Sequence, residues 1–99
     1  MTRQKNILTL LKRDMPQTDL KKARVRAAAL GVEIRPSRRK LKKLDVYKDG
    51  KKVATIGDLR YSDYLQHGDE ARRAAYKRRH EKNRHIQGTP GYYADQILW

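Results

Sequence analysis

The chain of 99 residues contains no cysteine and no phenylalanine. The lack of cysteine excludes disulfides, zinc–thiolate sites and thiol catalysis. Long apolar runs are also missing, because the longest cluster, Ile7 to Leu11, is interrupted by Thr9 and is far too short to span a bilayer. The first residues show no long apolar stretch typical of a signal peptide. We therefore expect a protein that has no transmembrane segment and is not secreted.

Acidic residues are scarce, with 11 Asp and Glu against 25 Lys and Arg, which gives a net charge of +14 and an isoelectric point near 10.4. Residues 1–43 hold 14 basic and 3 acidic residues, whereas residues 44–68 hold 4 of each. Such a field favours nucleic acid, anionic lipid or an acidic protein surface as partner. Only 37% of the residues are apolar, so the core must be small and partner contacts are expected to add stability.

Two helices are predicted before residue 31. The spacing of Ile7, Leu10 and Leu11 indicates a short amphipathic helix from about Gln4 to Asp14. A second helix is expected to begin at Thr18 or Asp19 as the cap and to end before Gly31, which suits a left-handed C-cap. Its predicted apolar face consists of Leu20, Ala23, Ala27 and Leu30.

The clearest local signal is Asp49-Gly50 between two alternating stretches, which predicts a hairpin with a type I′ turn. Pairing about this turn sets Val46 opposite Val53. The face expected to be apolar then consists of Leu44, Val46, Val53 and Thr55. The two-residue period of residues 32–34 favours a further short strand.

Residues 61–68 are expected to be irregular, and a third helix is expected from Gly68 or Asp69 to about Asn83. Its predicted inner side consists of Ala71, Ala74, Ala75 and Arg78. The sequence therefore predicts an α+β fold, with helices around a small antiparallel hairpin or three-stranded sheet. We expect one domain overall, with a basic helical segment over 1–31 and a hairpin-plus-helix core over 32–99.

Two basic stretches are candidate sites for phosphates or for an acidic protein groove, since arginine suits bidentate phosphate geometry. The alternative is that they are solvated surface. The predicted binding residues are Arg35, Arg38, Arg39, Lys40, Lys42 and Lys43 in the connector before the hairpin and Arg72, Arg73, Arg78 and Arg79 in the third helix.

The histidines His67, His80 and His85 could be assembled with nearby carboxylates into a metal or nuclease site. His80 and His85 are five residues apart, however, and no HxxxH or HExxH spacing occurs. We also find no glycine-rich phosphate loop and no nucleophile motif. The expectation is a non-enzymatic protein without metal or cofactor.

Aromatic residues interleaved with basic ones can stack on nucleobases, but in a chain without phenylalanine they can equally form the core. Segment 90–99 is expected to begin with Thr89 as a cap and Pro90 at the first helical position. Its large side chains are expected to be a packed anchor, because exposing them together would be costly. The predicted anchor consists of Tyr92, Tyr93, Ile97, Leu98 and Trp99.

Several motifs occur in a fixed order: Tyr61-Ser62-Asp63-Tyr64, His67-Gly68-Asp69, Arg79-His80 and a final Ile97-Leu98-Trp99. In this pattern the chain resembles, over roughly residues 30–99, a family of small, uncharacterised basic proteins of large double-stranded DNA viruses. The resemblance implies a virus-encoded, non-enzymatic protein of the virion, present in the host cytoplasm or nucleus during assembly.

The function expected first is therefore a basic structural protein, a minor capsid or internal virion component that binds acidic partners within a larger assembly. The alternative is a nucleic-acid-binding protein without sequence preference. A nuclease that uses His80 and His85 is the third possibility, and nothing in the spacing supports it.

Overall fold

The computed structural model describes residues 15–99, and the helix predicted over 4–14 lies outside them. Within these residues, four helices and three strands follow one another: α1 (Gln17–Ala29), β1 (Glu33–Pro36), β2 (Lys42–Lys48), β3 (Lys51–Asp58), α2 (Tyr64–His67), α3 (Glu70–Arg79) and α4 (Pro90–Leu98). The strands form one antiparallel sheet in the order β1-β2-β3. The predicted α+β fold is confirmed.

Helix α1 buries Leu20, Ala23 and Ala27 of its predicted apolar face in the core, whereas Leu30 is only partly buried against it. Its start differs from the prediction, because Pro16 occupies the cap position and no side chain caps the helix. Asp19 lies inside the first turn instead, with only 6% of its surface exposed. Gly31 has a φ of 75° after the helix, as expected for a left-handed residue that favours glycine.

The turn between β2 and β3 has the predicted geometry, with φ values of 52° at Asp49 and 80° at Gly50. The predicted register beyond it is wrong. Tyr47 pairs with Lys52, but Val46 pairs with Ala54, so Val53 is the extra residue of a β-bulge.

The bulge reverses which side chains of β3 enter the core. Ala54 and Ile56 are buried, whereas Val53 is 39% exposed. Thr55, which was expected on the apolar face, lies on the other face, where its hydroxyl donates a hydrogen bond of 2.9 Å to Asp45. Because of the bulge, Ala54 and Ile56 lie in the core in place of Val53 and Thr55. Thr55 instead donates its hydrogen bond to Asp45 on the outer face of the sheet.

The core lies between the inner face of the sheet and helices α1 and α4. It consists of Leu20, Ala23, Ala27, Val32, Ile34, Leu44, Val46, Ala54, Ile56, Leu65, Tyr93, Ile97 and Leu98. Helix α1 contributes side chains to the same cluster as the sheet. The alternate side chains of the strands, among them Arg35, Tyr47 and Lys52, point to the opposite face of the sheet.

The segment after the sheet departs from the prediction in two ways. Residues expected to be irregular include the short helix α2, and α3 ends at Arg79 rather than near Asn83. Asp69 caps α3 as predicted, since its side chain accepts hydrogen bonds from the backbone N–H groups of residues 71 and 72.

The predicted inner side of α3 is also wrong. Ala71, Ala74 and Arg78 are exposed and Ala75 is half-buried. The side chains that α3 turns inward are Arg73, Tyr76 and Lys77, because they find partners on α4 and on Trp99 that small residues could not reach. Within residues 15–99, no helix has both the length and the apolar character needed to cross a membrane.

Candidate functional site

A cleft of about 660 Å³ opens on the outer side of the sheet. We call it the sheet cleft, and it is lined by Arg35, Pro36, Arg38, Arg39, Asp45, Tyr47 and Lys52. Three of the predicted binding residues, Arg35, Arg38 and Arg39, therefore share one cavity. The strand alternation points Arg35, Tyr47 and Lys52 outward, and the connector between β1 and β2 supplies the other two arginines.

The positive charge of the sheet cleft is not cancelled from within. The guanidinium carbon of Arg35 lies 4.4 Å from the centre of the Tyr47 ring, a cation–π contact that holds the side chain over the sheet. Of the residues within 15–99 that line the cleft, Asp45 is the one with an acidic side chain; it accepts a hydrogen bond from Thr55 and lies 3.8 Å from the Lys52 ammonium. Among the described residues, no carboxylate forms an ion pair with Arg35, Arg38 or Arg39.

Local hydrogen bonds shape the connector that carries Arg38 and Arg39. The Ser37 hydroxyl accepts a bond of 3.1 Å from the backbone N–H of Arg39, and the Ser37 N–H donates to the Lys43 carbonyl at 3.1 Å. Leu41 has a φ of 64°, which turns the chain back into β2. The connector is thus a defined turn that presents its arginines at the edge of the cleft.

A second cavity, of about 460 Å³, lies between one end of the sheet, α3 and α4. We call it the helix pocket. Its lining residues are Lys42, Lys43, Gly57, Asp58, Tyr61, Ser62, Asp63, Arg72, Ala75, Tyr76, Arg79, His80, Ala94, Leu98 and Trp99.

One wall of the helix pocket is a stack of three rings. The Trp99 ring lies parallel to the Tyr76 ring with centroids 4.2 Å apart, and His80 stacks on the other face of Tyr76 at 4.1 Å. The Nδ1 atom of His80 lies 2.9 Å from the Tyr76 carbonyl, and because a carbonyl only accepts, Nδ1 carries the proton. Burial, with a smaller contribution from Asp95, raises the pKa of Tyr76 and keeps its phenol neutral.

The floor of the helix pocket contains a buried ion pair. The Lys43 ammonium lies 2.6 Å from Asp63, with side-chain exposures of 4% and 3%, and it also donates to Gln66 at 3.3 Å. Lys43 was predicted to bind an acidic partner; in the folded chain its ammonium is paired with Asp63 and its side chain is buried. Gly57 passes directly beneath it: a Cβ at this position would lie 2.9 Å from the Lys43 Cβ.

The rim of the helix pocket carries the free charge. Arg72 and Arg79 are exposed and Lys42 is half-exposed. None of the three forms an ion pair within the described part of the chain. Asp58 is engaged elsewhere, since three hydrogen bonds from the side chain and backbone of Arg60 hold the pKa of Asp58 well below its usual range.

The remaining predicted basic residues either line neither cavity or are held by interactions within the chain. Arg73 donates a 2.7 Å hydrogen bond to the Trp99 carbonyl and lies 3.7 Å from Glu70, so it positions the pocket wall. Lys40 and Arg78 are exposed but line neither the sheet cleft nor the helix pocket.

The predicted anchor residues divide between the core and the pocket. Tyr93, Ile97 and Leu98 are buried in the core, with Ile97 completely inaccessible. Tyr92 and Trp99 are half-buried, and Trp99 packs on Tyr76 rather than on the alanines of α3.

The three histidines lie in separate surroundings. His67 accepts a hydrogen bond at Nδ1 from the Asp69 N–H, His80 belongs to the ring stack, and His85 contacts Glu81 at 2.9 Å. His85 and Arg84 lower the pKa of Glu81 through hydrogen bonds. In residues 15–99 no three His, Asp or Glu side chains lie close enough to share a metal ion.

Asp95, which connects the elements around the pocket, was not predicted from the sequence. Its side chain is fully buried and accepts hydrogen bonds from Lys77 at 3.0 Å and from Arg84 at 3.4 Å. These bonds connect α4 to α3 and to the loop between α3 and α4. No spacing rule joins residues 77, 84 and 95. The one available signal was that an acidic residue lies among the apolar residues of the final helix.

One family model matches part of the chain. Residues 32–80 are similar to a family of unknown function (DUF5754). The matched stretch contains the whole sheet, α2 and α3, and therefore the complete sheet cleft and most of the helix pocket. No curated protein and no solved structure matches the chain.

Proposed function

We propose that this chain is a non-enzymatic protein that binds nucleic acid through its phosphates, without sequence preference, with the sheet cleft as the main contact. The observation that supports this is the arrangement of Arg35, Arg38, Arg39 and Lys52 around Tyr47 in one open cleft. The single acidic residue of the cleft, Asp45, is already engaged by Thr55 and Lys52.

The chemistry of the cleft suits a phosphate backbone. Arginine forks bind phosphate oxygens in bidentate fashion, and the guanidinium carbon of Arg35 lies over the Tyr47 ring at 4.4 Å from its centre. A net charge of +14 adds a long-range attraction to any polyanion. Phosphate contacts position a protein on nucleic acid but carry no sequence information.

A second candidate function is that of a structural virion component, a minor capsid or internal protein that joins acidic neighbours. The resemblance to small basic proteins of large double-stranded DNA viruses supports it. So does the presence of free cations at two separate cavities, since a protein with two basic faces can bridge two acidic surfaces. The genome itself is one such surface, so the two candidates share the sheet cleft.

The test compares two double variants of the full chain with equal loss of charge. Arg38→Gln with Arg39→Gln removes two cations of the cleft, whereas Lys21→Gln with Arg24→Gln removes two exposed cations of α1. Fluorescence anisotropy with two DNA duplexes of unrelated sequence gives the affinities. We expect the cleft variant to lose roughly tenfold or more, equally for both duplexes, and the α1 variant to lose much less.

Equal losses in the two variants would mean that only total charge matters and that the cleft is not the site. Wild-type protein that fails to bind either duplex but binds an isolated acidic capsid subunit would favour the second candidate.

A further inference from the structure

We propose that the helix pocket binds one unpaired nucleotide, with its base inside the pocket and its phosphate on Arg72 and Arg79. The proposal rests on the function proposed above, in that it gives the nucleic-acid partner an unpaired base. The nucleotide can be free or part of a single strand, since the recognised chemistry is the same.

The pocket has the size and lining of a small-molecule site. Its volume of about 460 Å³ lies within the range of roughly 300–1,000 Å³ that such sites occupy. Small side chains on the two helices, Ala75 and Ala94, line the space. One wall is the ring stack, in which Tyr76 and Trp99 lie parallel within 3°.

An aromatic side chain is also available at the mouth of the pocket. Tyr61 lines the pocket and is 68% exposed, so its ring is accessible to a ligand. A base that enters can lie between this ring and a ring at one end of the three-ring stack, since Trp99 and His80 both line the pocket. Stacking of this kind accepts any base, because every base has a π-face.

The charges lie where a phosphate attached to that base would be. Arg72 and Arg79 are seven residues apart on α3, so they share one face of the helix, and Lys42 approaches from β2. Within the described residues these three cations have no carboxylate partner. The two acidic residues of the pocket are neutralised by their own partners, Asp58 by Arg60 at 2.7 Å and Asp63 by Lys43 at 2.6 Å.

One polar atom at the floor lacks a partner. Asp63 is 98% buried, and its Oδ1 accepts no hydrogen bond among the described residues. A buried acceptor of this kind is costly unless a donor reaches it. All four bases carry an N–H donor on the edge used for pairing, and that edge is free only when the base is unpaired. The floor therefore favours an unpaired base over a duplex.

Trp99 is the only tryptophan of the chain and lines the pocket, so its fluorescence reports on occupancy. The probes are adenosine monophosphate, ribose 5-phosphate and a single-stranded oligoadenylate, each titrated into the full chain. We expect saturable quenching by adenosine monophosphate and by the oligoadenylate. Ribose 5-phosphate, which lacks the base, should bind at least about tenfold more weakly.

Two variants and one control define the site. Arg72→Gln with Arg79→Gln should weaken adenosine monophosphate binding at least about tenfold, and Tyr61→Ala should weaken it with no change in charge. Lys21→Gln with Arg24→Gln, of equal charge loss, should leave it within about twofold of wild type. Circular dichroism melting of each variant checks that its fold is kept.

Duplex binding of the same proteins separates this proposal from the one on which it rests. Duplex binding that depends on Arg38 and Arg39, together with no saturable response to either adenine probe, would overturn the pocket proposal and leave the sheet cleft standing. Quenching by adenosine monophosphate without any duplex binding would overturn the proposed function and keep the pocket as a site for free nucleotides. An equal response of all variants to adenosine monophosphate would also overturn the pocket proposal.

Discussion

Asp19 is buried in the first turn of α1 with its charge poorly compensated. Burial raises the pKa of its carboxyl above the ordinary 3.8, and repulsion by Asp63 adds to the shift. The native state then binds more protons than the unfolded state between these two values, so stability falls as the pH rises through that window. At neutral pH, Asp19 therefore opposes folding.

Asp19→Asn is expected to raise the free energy of unfolding at pH 7 and to lose this advantage as the pH falls below about 3.8. Urea unfolding of both proteins at several pH values measures the difference. Glu81→Gln is expected to lower the free energy of unfolding at pH 7 instead. Hydrogen bonds from His85 and Arg84 lower the pKa of Glu81, so its charged form is favoured in the fold. Parallel stability curves for wild type and Asp19→Asn between pH 3 and pH 7 would contradict the account.

Residues of one basic run have different surroundings in the fold, and the sequence does not show this difference. Arg38, Arg39 and Lys43 belong to one basic run, and nothing in that run distinguishes them. The structure separates them because Lys43 meets Asp63, which is 20 positions further along the chain. Such a pairing depends on how α2 packs against the end of the sheet, and charge patterning within a segment contains no information about it.

Helix α4 is the element on which both the core and the helix pocket depend. Ile97 and Leu98 are buried against β3 and α1, while Asp95 and Trp99 connect the same helix to α3. A helix of 9 residues would not be stable by itself, so this packing supplies its stability.

Ile97→Ala is expected to lower the free energy of unfolding by about 2–5 kcal/mol, since it removes a completely buried side chain. The matched control is Ile86→Ala, where the side chain is 52% exposed and the expected loss is below about 0.5 kcal/mol. Thermal or urea unfolding of the two variants provides the comparison. Similar losses in both would mean that α4 does not anchor the fold.

At the scale of elements, features that depend on residues close in sequence were predicted better than features that depend on packing between elements. The Asp49-Gly50 turn, the cap at Asp69 and the apolar face of α1 follow from residues that are close in sequence, and each is observed. The bulge at Val53 was not predictable, because an unbulged hairpin also gives a consistent apolar face. The inner side of α3 was missed for a similar reason, since its partners lie on α4.

At the scale of the whole molecule, composition gave the net charge of the chain but not the places where the basic side chains gather. The net charge of +14 was evident from the sequence, whereas its concentration in a sheet cleft and at the rim of a helix pocket depends on the fold. Tyr47 and Trp99 belong to different elements, and only the fold assigns the first to the cleft and the second to the pocket.

The salt dependence of duplex binding tests the central claim most directly. For contacts with phosphates, the logarithm of the binding constant should fall linearly with the logarithm of salt concentration, by about 0.9 per contact. We expect a steep slope for the wild-type chain and a slope smaller by about 1.8 after Arg38→Gln with Arg39→Gln, which removes two contacts. The change should be absent from Lys21→Gln with Arg24→Gln. A slope that is shallow in the wild type, or that is the same in the cleft variant, would show that the sheet cleft does not bind phosphates.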